Sequence, residues 1–161
     1  MLKTRADIER LLPHRDPMLL VDAVIALEPG HGIHAVKAIS VNEPCYQRVR
    51  GDNPCAGPYP ASLLIESFCQ AAGILLLESG ATAYDSTRDV LLFASIARCT
   101  FESDALPGDT LEHHAHISKA FHDAAMCGGE IRVGSRRIAE IQQVVVALRP
   151  LRRAEGALCE A

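Results

Sequence analysis

Between His34 and His113 the chain contains no histidine, so the side chain most often used as a general base near neutral pH is missing from its whole middle. The six cysteines form no CxxC pair and show no other metal-ligand spacing, so neither a zinc module nor a disulfide framework is indicated and a reducing cytoplasm is expected. No Gly-rich phosphate loop occurs, and no cofactor is expected. There is no basic stripe, and the formal net charge of −4 argues against nonspecific nucleic-acid binding; Arg149, Arg152 and Arg153 read as a solvated tail. The first residues lack a basic-then-apolar signal pattern, Lys3 to Arg10 alternating charge instead. The longest apolar stretch is interrupted by Glu66, Ser67 and Gln70, so it is expected to fall short of a membrane span. Internal repeats and low-complexity tracts are also missing, which leaves one domain over residues 1–150 and a tail over 151–161.

What is present is a core former. Apolar residues make up 48% of the chain, enough to exclude disorder. Residues 4–12 read as a short amphipathic helix with Ile8, Leu11 and Leu12 on one face, stopped by Pro13. Residues 18–27 and 33–41 read as strands paired in a hairpin across Glu28-Pro29-Gly30. Residues 42–59 carry Pro44, Pro54, Pro58, Gly51 and Gly57 and read as irregular. Residues 60–80 then form a helix candidate that is apolar on almost every side, as a helix wrapped by other elements must be. Four further strands are predicted over residues 90–101, 110–120, 124–133 and 136–148, and their short spacers favour antiparallel neighbours. The class is α+β: a curved antiparallel sheet of about six strands around one long central helix. One sheet over one helix leaves edge strands and apolar surface open, so dimerisation is expected.

Glu66 stands out as a single acid within that apolar helix. A buried carboxyl without a partner is costly, and Gln70, one turn on along the same face, could satisfy it. Cys55 and Cys69 are near this region but have no neighbouring base, so a catalytic thiol is not indicated. His113, His114 and His116 suggest a metal, yet on a strand His114 and His116 share one face and His113 takes the other. No metal site is expected, and a solvated or partly exposed strand is the simpler reading. His31 and His34 flank the hairpin turn and read as surface residues.

From Ile8 to Leu148 the chain resembles the 3-hydroxyacyl-acyl-carrier-protein dehydratases, which have the hot-dog fold. Leu11-Leu12-Pro13-His14-Arg15-Asp16-Pro17-Met18-Leu19-Leu20-Val21-Asp22 is similar to the family's L-L-P-H-R-x-P-x-L-L-V-D. Asn42-Glu43-Pro44 is similar to its N-E-P, and Pro60-Ala61-Ser62-Leu63-Leu64-Ile65-Glu66-Ser67-Phe68-Cys69-Gln70-Ala71-Ala72-Gly73 to P-G-V-L-I-I-E-A-L-A-Q-A-A-G. Leu92-Phe93-Ala94-Ser95-Ile96 and Pro107-Gly108-Asp109 resemble a later strand and turn. The resemblance implies a site drawn from two chains of a dimer. A histidine in a G-H-F-P loop removes the proton alpha to a thioester carbonyl, and the helix glutamate manages the departing hydroxyl. A backbone N–H at the helix start, here at Ala61 or Ser62, steadies the carbonyl oxygen. Apolar surroundings are expected to favour the neutral form of Glu66, as suits a proton donor.

The chain departs from that pattern at the histidine. Counted forward from Gln47, the family position falls on Val49; counted back from Pro60, across a loop a few residues longer, it falls on Asp52. Neither is an imidazole, and an aspartate of ordinary pKa, ~4, is a poor base for an alpha proton. Ala61 replaces the glycine after the helix-starting proline. The expected site is therefore Glu66 as the catalytic group, with Ala61, Ser62, Gln70, Val49 and Asp52 lining the substrate. His14 is given only a packing and hydrogen-bonding role near the sheet. The resemblance implies a dehydratase subunit acting on acyl-carrier-protein thioesters in fatty-acid or polyene biosynthesis. It would work as a heterodimer with a histidine-bearing homologue, or as a homodimer. A noncatalytic acyl-binding or partner-stabilising protein, and an acyl thioesterase or isomerase, are the alternatives.

Overall fold

The computed structural model describes residues 1–47, 57–80, 85 and 88–151. In chain order the elements are α1 (Arg5–Leu11), β1 (Ala23–Glu28), β2 (Gly32–Ala38), α2 (Pro44–Gln47), α3 (Ala61–Glu78), β3 (Asp89–Phe101), β4 (Thr110–Ala120), β5 (Ala124–Val133) and β6 (Arg136–Pro150). The six strands form one antiparallel sheet in the order β1-β2-β4-β5-β6-β3.

Alternation along the strands decides which face meets α3. Ile33, Ala35 and Lys37 of β2 and Leu111, His113 and Ala115 of β4 are buried, while His34, Val36, Glu112 and His114 between them are only partly covered. The buried set lies toward α3, which packs on β2, β4, β5 and β6. Residues Ser67 through Leu76 of α3 are all buried, and Phe68, wholly enclosed, meets the edge of the His113 ring at 6.4 Å. Gly73 lets the helix approach β3, because a Cβ there would strike the Leu91 side chain. By length and composition α3 would pass as a membrane span, contrary to the sequence expectation. Its flanks are instead covered by the sheet, so its apolarity is that of a core helix.

Four expectations are corrected. Residues 18–22 are not strand; β1 begins at Ala23, because the Met18 carbonyl and the Leu20 and Val21 N–H groups bond to the Gln70 side chain of α3, and only Asp22 already reaches β2, donating to Val36 O at 2.9 Å. A short helix, α2, stands where only irregular chain was predicted. The short link from β3 to β4 does not make them neighbours, since β3 pairs with β6 along its whole length. Arg149 lies within β6 and pairs with Asp123 at 2.5 Å rather than in a tail; Arg152 and Arg153 are outside the described residues.

The two sheet edges differ. Beside β1, Leu2 donates to Val24 O at 2.7 Å and Val24 donates to Lys3 O at 3.0 Å, so the N-terminal residues cover that edge. On the other side β3 has β6 as its one strand neighbour among the described residues, and it exposes Leu92, Ile96 and Phe101.

Candidate functional site

The geometry around Glu66 starts with Gln70, a fully buried amide one turn further along α3. Its Oε1 accepts from the Leu20 N–H at 2.8 Å and, more weakly, from Val21 at 3.4 Å. Its Nε2 donates to Met18 O at 2.7 Å and to Glu66 Oε1 at 2.9 Å. One side chain thus fastens the segment after the cis Asp16-Pro17 bond to the central helix and satisfies the acid. The sequence expectation that Gln70 partners Glu66 holds.

A second group meets the same oxygen. His14 Nε2 lies 3.4 Å from Glu66 Oε1, with both side chains about a quarter exposed, at 21% and 25%. The sequence reading gave His14 a packing and hydrogen-bonding role near the sheet and did not pair it with Glu66. The available signal was the motif itself, in which histidine stands a few residues before the segment that Gln70 holds. The same histidine occurs in the family's opening motif, so His14 does not replace the imidazole lost from the later loop.

These contacts reverse one expectation. The His14 contact holds the Glu66 carboxyl below its ordinary value; burial pushes the other way, and the Gln70 hydrogen bond again lowers it. Glu66 is accordingly a carboxylate at neutral pH, an acceptor rather than a neutral acid. Apolar neighbours along a helix do not reveal donors that arrive from elsewhere in the chain.

The helix start is open. Pro60 caps α3 without a side-chain hydrogen bond, and its carbonyl accepts from Leu63 and Leu64. Ala61 and Ser62 are exposed in the first turn, where N–H groups have no partner within the helix. Glu66 follows Ser62 by four residues, about one turn, so an oxyanion beside Ser62 at the helix start and a group at the carboxylate lie along one line of the helix surface. Val49, Asp52 and Cys55 lie outside the described residues.

The segment before that loop is held by another acid of the motif. Glu43 Oε1 accepts from Lys37 Nζ and from the Ser40 N–H, each at 3.0 Å, and Glu43 Oε2 accepts from the Tyr59 hydroxyl at 3.0 Å. Burial and the Glu43 charge drive the Tyr59 phenol well above its ordinary range, fixing it as a donor. Cys69 and Cys127 are buried and their thiols are pushed up to about 12, so both serve as small apolar groups.

The histidines of β4 divide between faces as the alternation requires. His113 is fully buried, contrary to the expectation of a solvated strand, and His114 lies on the outer face. His34 is partly covered rather than free on the surface: its ring stacks on His114 with centroids 4.3 Å apart.

Comparison with known proteins gives a consistent result. The model of the FabA-like domain matches residues 12–142. The chain is 38% identical over 145 residues to a protein of Colwellia psychrerythraea named 3-hydroxyacyl-[acyl-carrier-protein] dehydratase FabZ, covering 90% of this chain and 93% of that one. A protein of the same name from Ruminiclostridium cellulolyticum is 42% identical over 114 residues, covering 71% and 75%. Among solved structures, the dehydratase heterocomplex ApeI:P of Xenorhabdus doucetiae is similar with a TM-score of 0.68 at 17% identity, covering 89% of this chain and 90% of that one. A hypothetical thioesterase with coenzyme A from Streptococcus pneumoniae is similar with a TM-score of 0.56 at 11% identity, covering 78% and 84%. These two likenesses describe the fold, which is the hot-dog fold.

Proposed function

Given that the chain belongs to the FabA-like dehydratase family, whose curated relatives are 3-hydroxyacyl-acyl-carrier-protein dehydratases, we propose that it is a subunit of a cytoplasmic dehydratase completed by a second, histidine-bearing homologue. The observation that carries this reading is a retained and hydrogen-bonded Glu66 in a chain whose loop offers Val49 and Asp52 where the family has its base. The similarity to a dehydratase heterocomplex supports it.

In this reading the partner's imidazole takes the proton alpha to the thioester carbonyl. The enolate charge develops beside the first N–H groups of α3, at Ala61 and Ser62. Glu66, as a carboxylate, accepts a hydrogen bond from the substrate's 3-hydroxyl and holds the resulting imidazolium by charge. The imidazolium then returns its proton to the departing hydroxyl, so that C–H and C–O bonds break, the double bond forms and water leaves. Gln70 keeps the carboxylate in place, and no metal or redox group enters the balance.

The deciding experiment assays the chain alone and with candidate partners on a 3-hydroxyacyl group carried by acyl carrier protein. Dehydration is expected only in the mixture, and Glu66→Gln is expected to reduce it by roughly 100-fold or more, the scale of one preorganised electrostatic group. A normal rate from the isolated chain, or an unchanged rate with Glu66→Gln, would overturn the shared site.

One observation favours a second reading. The Gln70 amide bonds to Met18, Leu20 and Glu66 together, which is also what a purely structural clamp requires. A noncatalytic, partner-stabilising subunit would keep the mixed rate without Glu66 and lose stability without Gln70. Release of free acid from an acyl thioester by the chain alone would instead assign a thioesterase.

A further inference from the structure

On the outer face of the sheet, away from α3 and Glu66, two strands bring together a histidine pair and an acid. His34 of β2 and His114 of β4 are direct register partners, and Glu112 is two residues before His114 on the same face. Glu112 Oε2 is 3.3 Å from His34 Nε2 and 3.8 Å from His114 Nε2, and the three ligand atoms lie within 4.8 Å of one another. Spacing along β4 alone hid this group, because the second imidazole comes from the neighbouring strand.

Three details distinguish the cluster from a chance meeting of polar side chains. His34 Nε2 is buried without a hydrogen-bond partner although the Glu112 oxygen is close by, and an unsatisfied buried ring nitrogen is costly unless something else binds it. Glu112 Oε1 is oriented by the Gly134 N–H at 3.3 Å, which leaves Oε2 directed at the two rings. The nearby cation is already engaged: Arg132 donates to Glu130 at 3.1 and 3.2 Å and to Ser135 O at 2.6 Å.

We propose that His34, Glu112 and His114 form a site for a divalent transition ion of the zinc type, with water as the fourth ligand. Tetrahedral zinc with bonds of 2.0–2.1 Å sets its ligand atoms about 3.3 Å apart, so the ligand atoms, none more than 4.8 Å from another, must close by at most about 1.5 Å, with the stacked rings turning so that both nitrogens aim at the ion. Two imidazoles and one carboxylate are a donor set suited to zinc, cobalt or nickel rather than to calcium or magnesium. The side chains remain 27%, 33% and 40% exposed, which leaves room for the water ligand. The ion would join β2 to β4 on the outer face, independently of the dehydratase reading.

The test uses the tag-free full-length chain, stripped with chelator and titrated with Zn²⁺ or Co²⁺. One equivalent per chain is expected, with tetrahedral Co²⁺ absorption, displacement of the imidazole nitrogen resonances of His34 and His114 only, and a raised Tm. His34→Ala and His114→Ala are each expected to weaken binding at least roughly tenfold, while His116→Ala retains it. Absence of stoichiometric binding, nitrogen shifts at other histidines, or affinity that survives His34→Ala would overturn the site. The wild-type nitrogen shifts decide the matter even if a variant fails to fold, and dehydratase activity in the mixed assay is expected to be unchanged by any of these substitutions.

Discussion

His14 Nε2 faces Glu66 Oε1 at 3.4 Å, joining the loop of the opening motif to the acid of the central helix. This contact is the leading reason that the carboxyl is held below its ordinary value. His14→Ala should therefore raise the Glu66 pKa, followed through its side-chain carboxyl carbon shift in a pH titration. His14→Gln, which can still donate a hydrogen bond, should restore most of the depression. An unchanged titration in His14→Ala would remove His14 as a positioning residue.

Gln70 accepts two backbone N–H groups and donates to a backbone carbonyl and to Glu66 from a fully buried position. Gln70→Leu conserves much of the volume while leaving the Leu20 N–H and the Met18 carbonyl without this partner. Each such group costs about 1–3 kcal/mol, so a loss of roughly 2–6 kcal/mol is expected in urea unfolding. A loss below about 1 kcal/mol would mean that segment 18–21 finds other partners.

His113 is buried on the α3 side, and neither ring nitrogen has a hydrogen-bond partner. Desolvation is the first cause of a pKa lowered to about 3. The sign follows: below the ordinary value of 6.5 the unfolded chain binds a proton that the folded chain refuses, so stability falls as pH drops from 6.5 toward 3. At pH 5 the loss is about 2 kcal/mol. The depressed carboxyls of Glu66 and Asp7 act lower, as pH falls through the carboxylate range, and His114 adds a smaller part of the same sign. His113→Leu should flatten the stability profile between pH 6.5 and 5; an unchanged slope there would place the acid sensitivity elsewhere.

The exposed edge of β3 predicts association. Leu92, Ile96 and Phe101 are 43%, 41% and 44% exposed on a strand with one neighbour among the described residues, whereas the β1 edge is covered. Ile96→Lys should lower the mass found by light scattering from dimer to monomer, with the far-ultraviolet spectrum retained. A dimer, with itself or with its partner subunit, that is indifferent to Ile96→Lys would exclude this edge as the interface.

Periodicity made the core legible. The apolar residues of 61–78 and the alternation of β2 and β4 are local signals, and they gave the helix, the sheet and the face assignment of His113 against His114 correctly. Glu66 and Gln70 were legible for the same reason, being four residues apart on one helix. What escaped were contacts between distant segments. The reach of His14 to Glu66 depends on how residues 13–22 pass over α3, and His34 meets His114 only once β2 is known to pair with β4 rather than with β3. The ionisation of Glu66 was misjudged on the same ground, because its neighbours in sequence are apolar while its neighbours in space are donors.

Glu43 is bonded to both Lys37 and Tyr59, and its carboxylate therefore ties together the chain just before the family's histidine loop and the chain just before α3. Both anchors lie outside residues 48–56, so the hold on the start of the central helix does not depend on which side chains stand there. Under the proposed division of labour, such an arrangement would keep the acid presented to a second subunit whatever the intervening loop contributes.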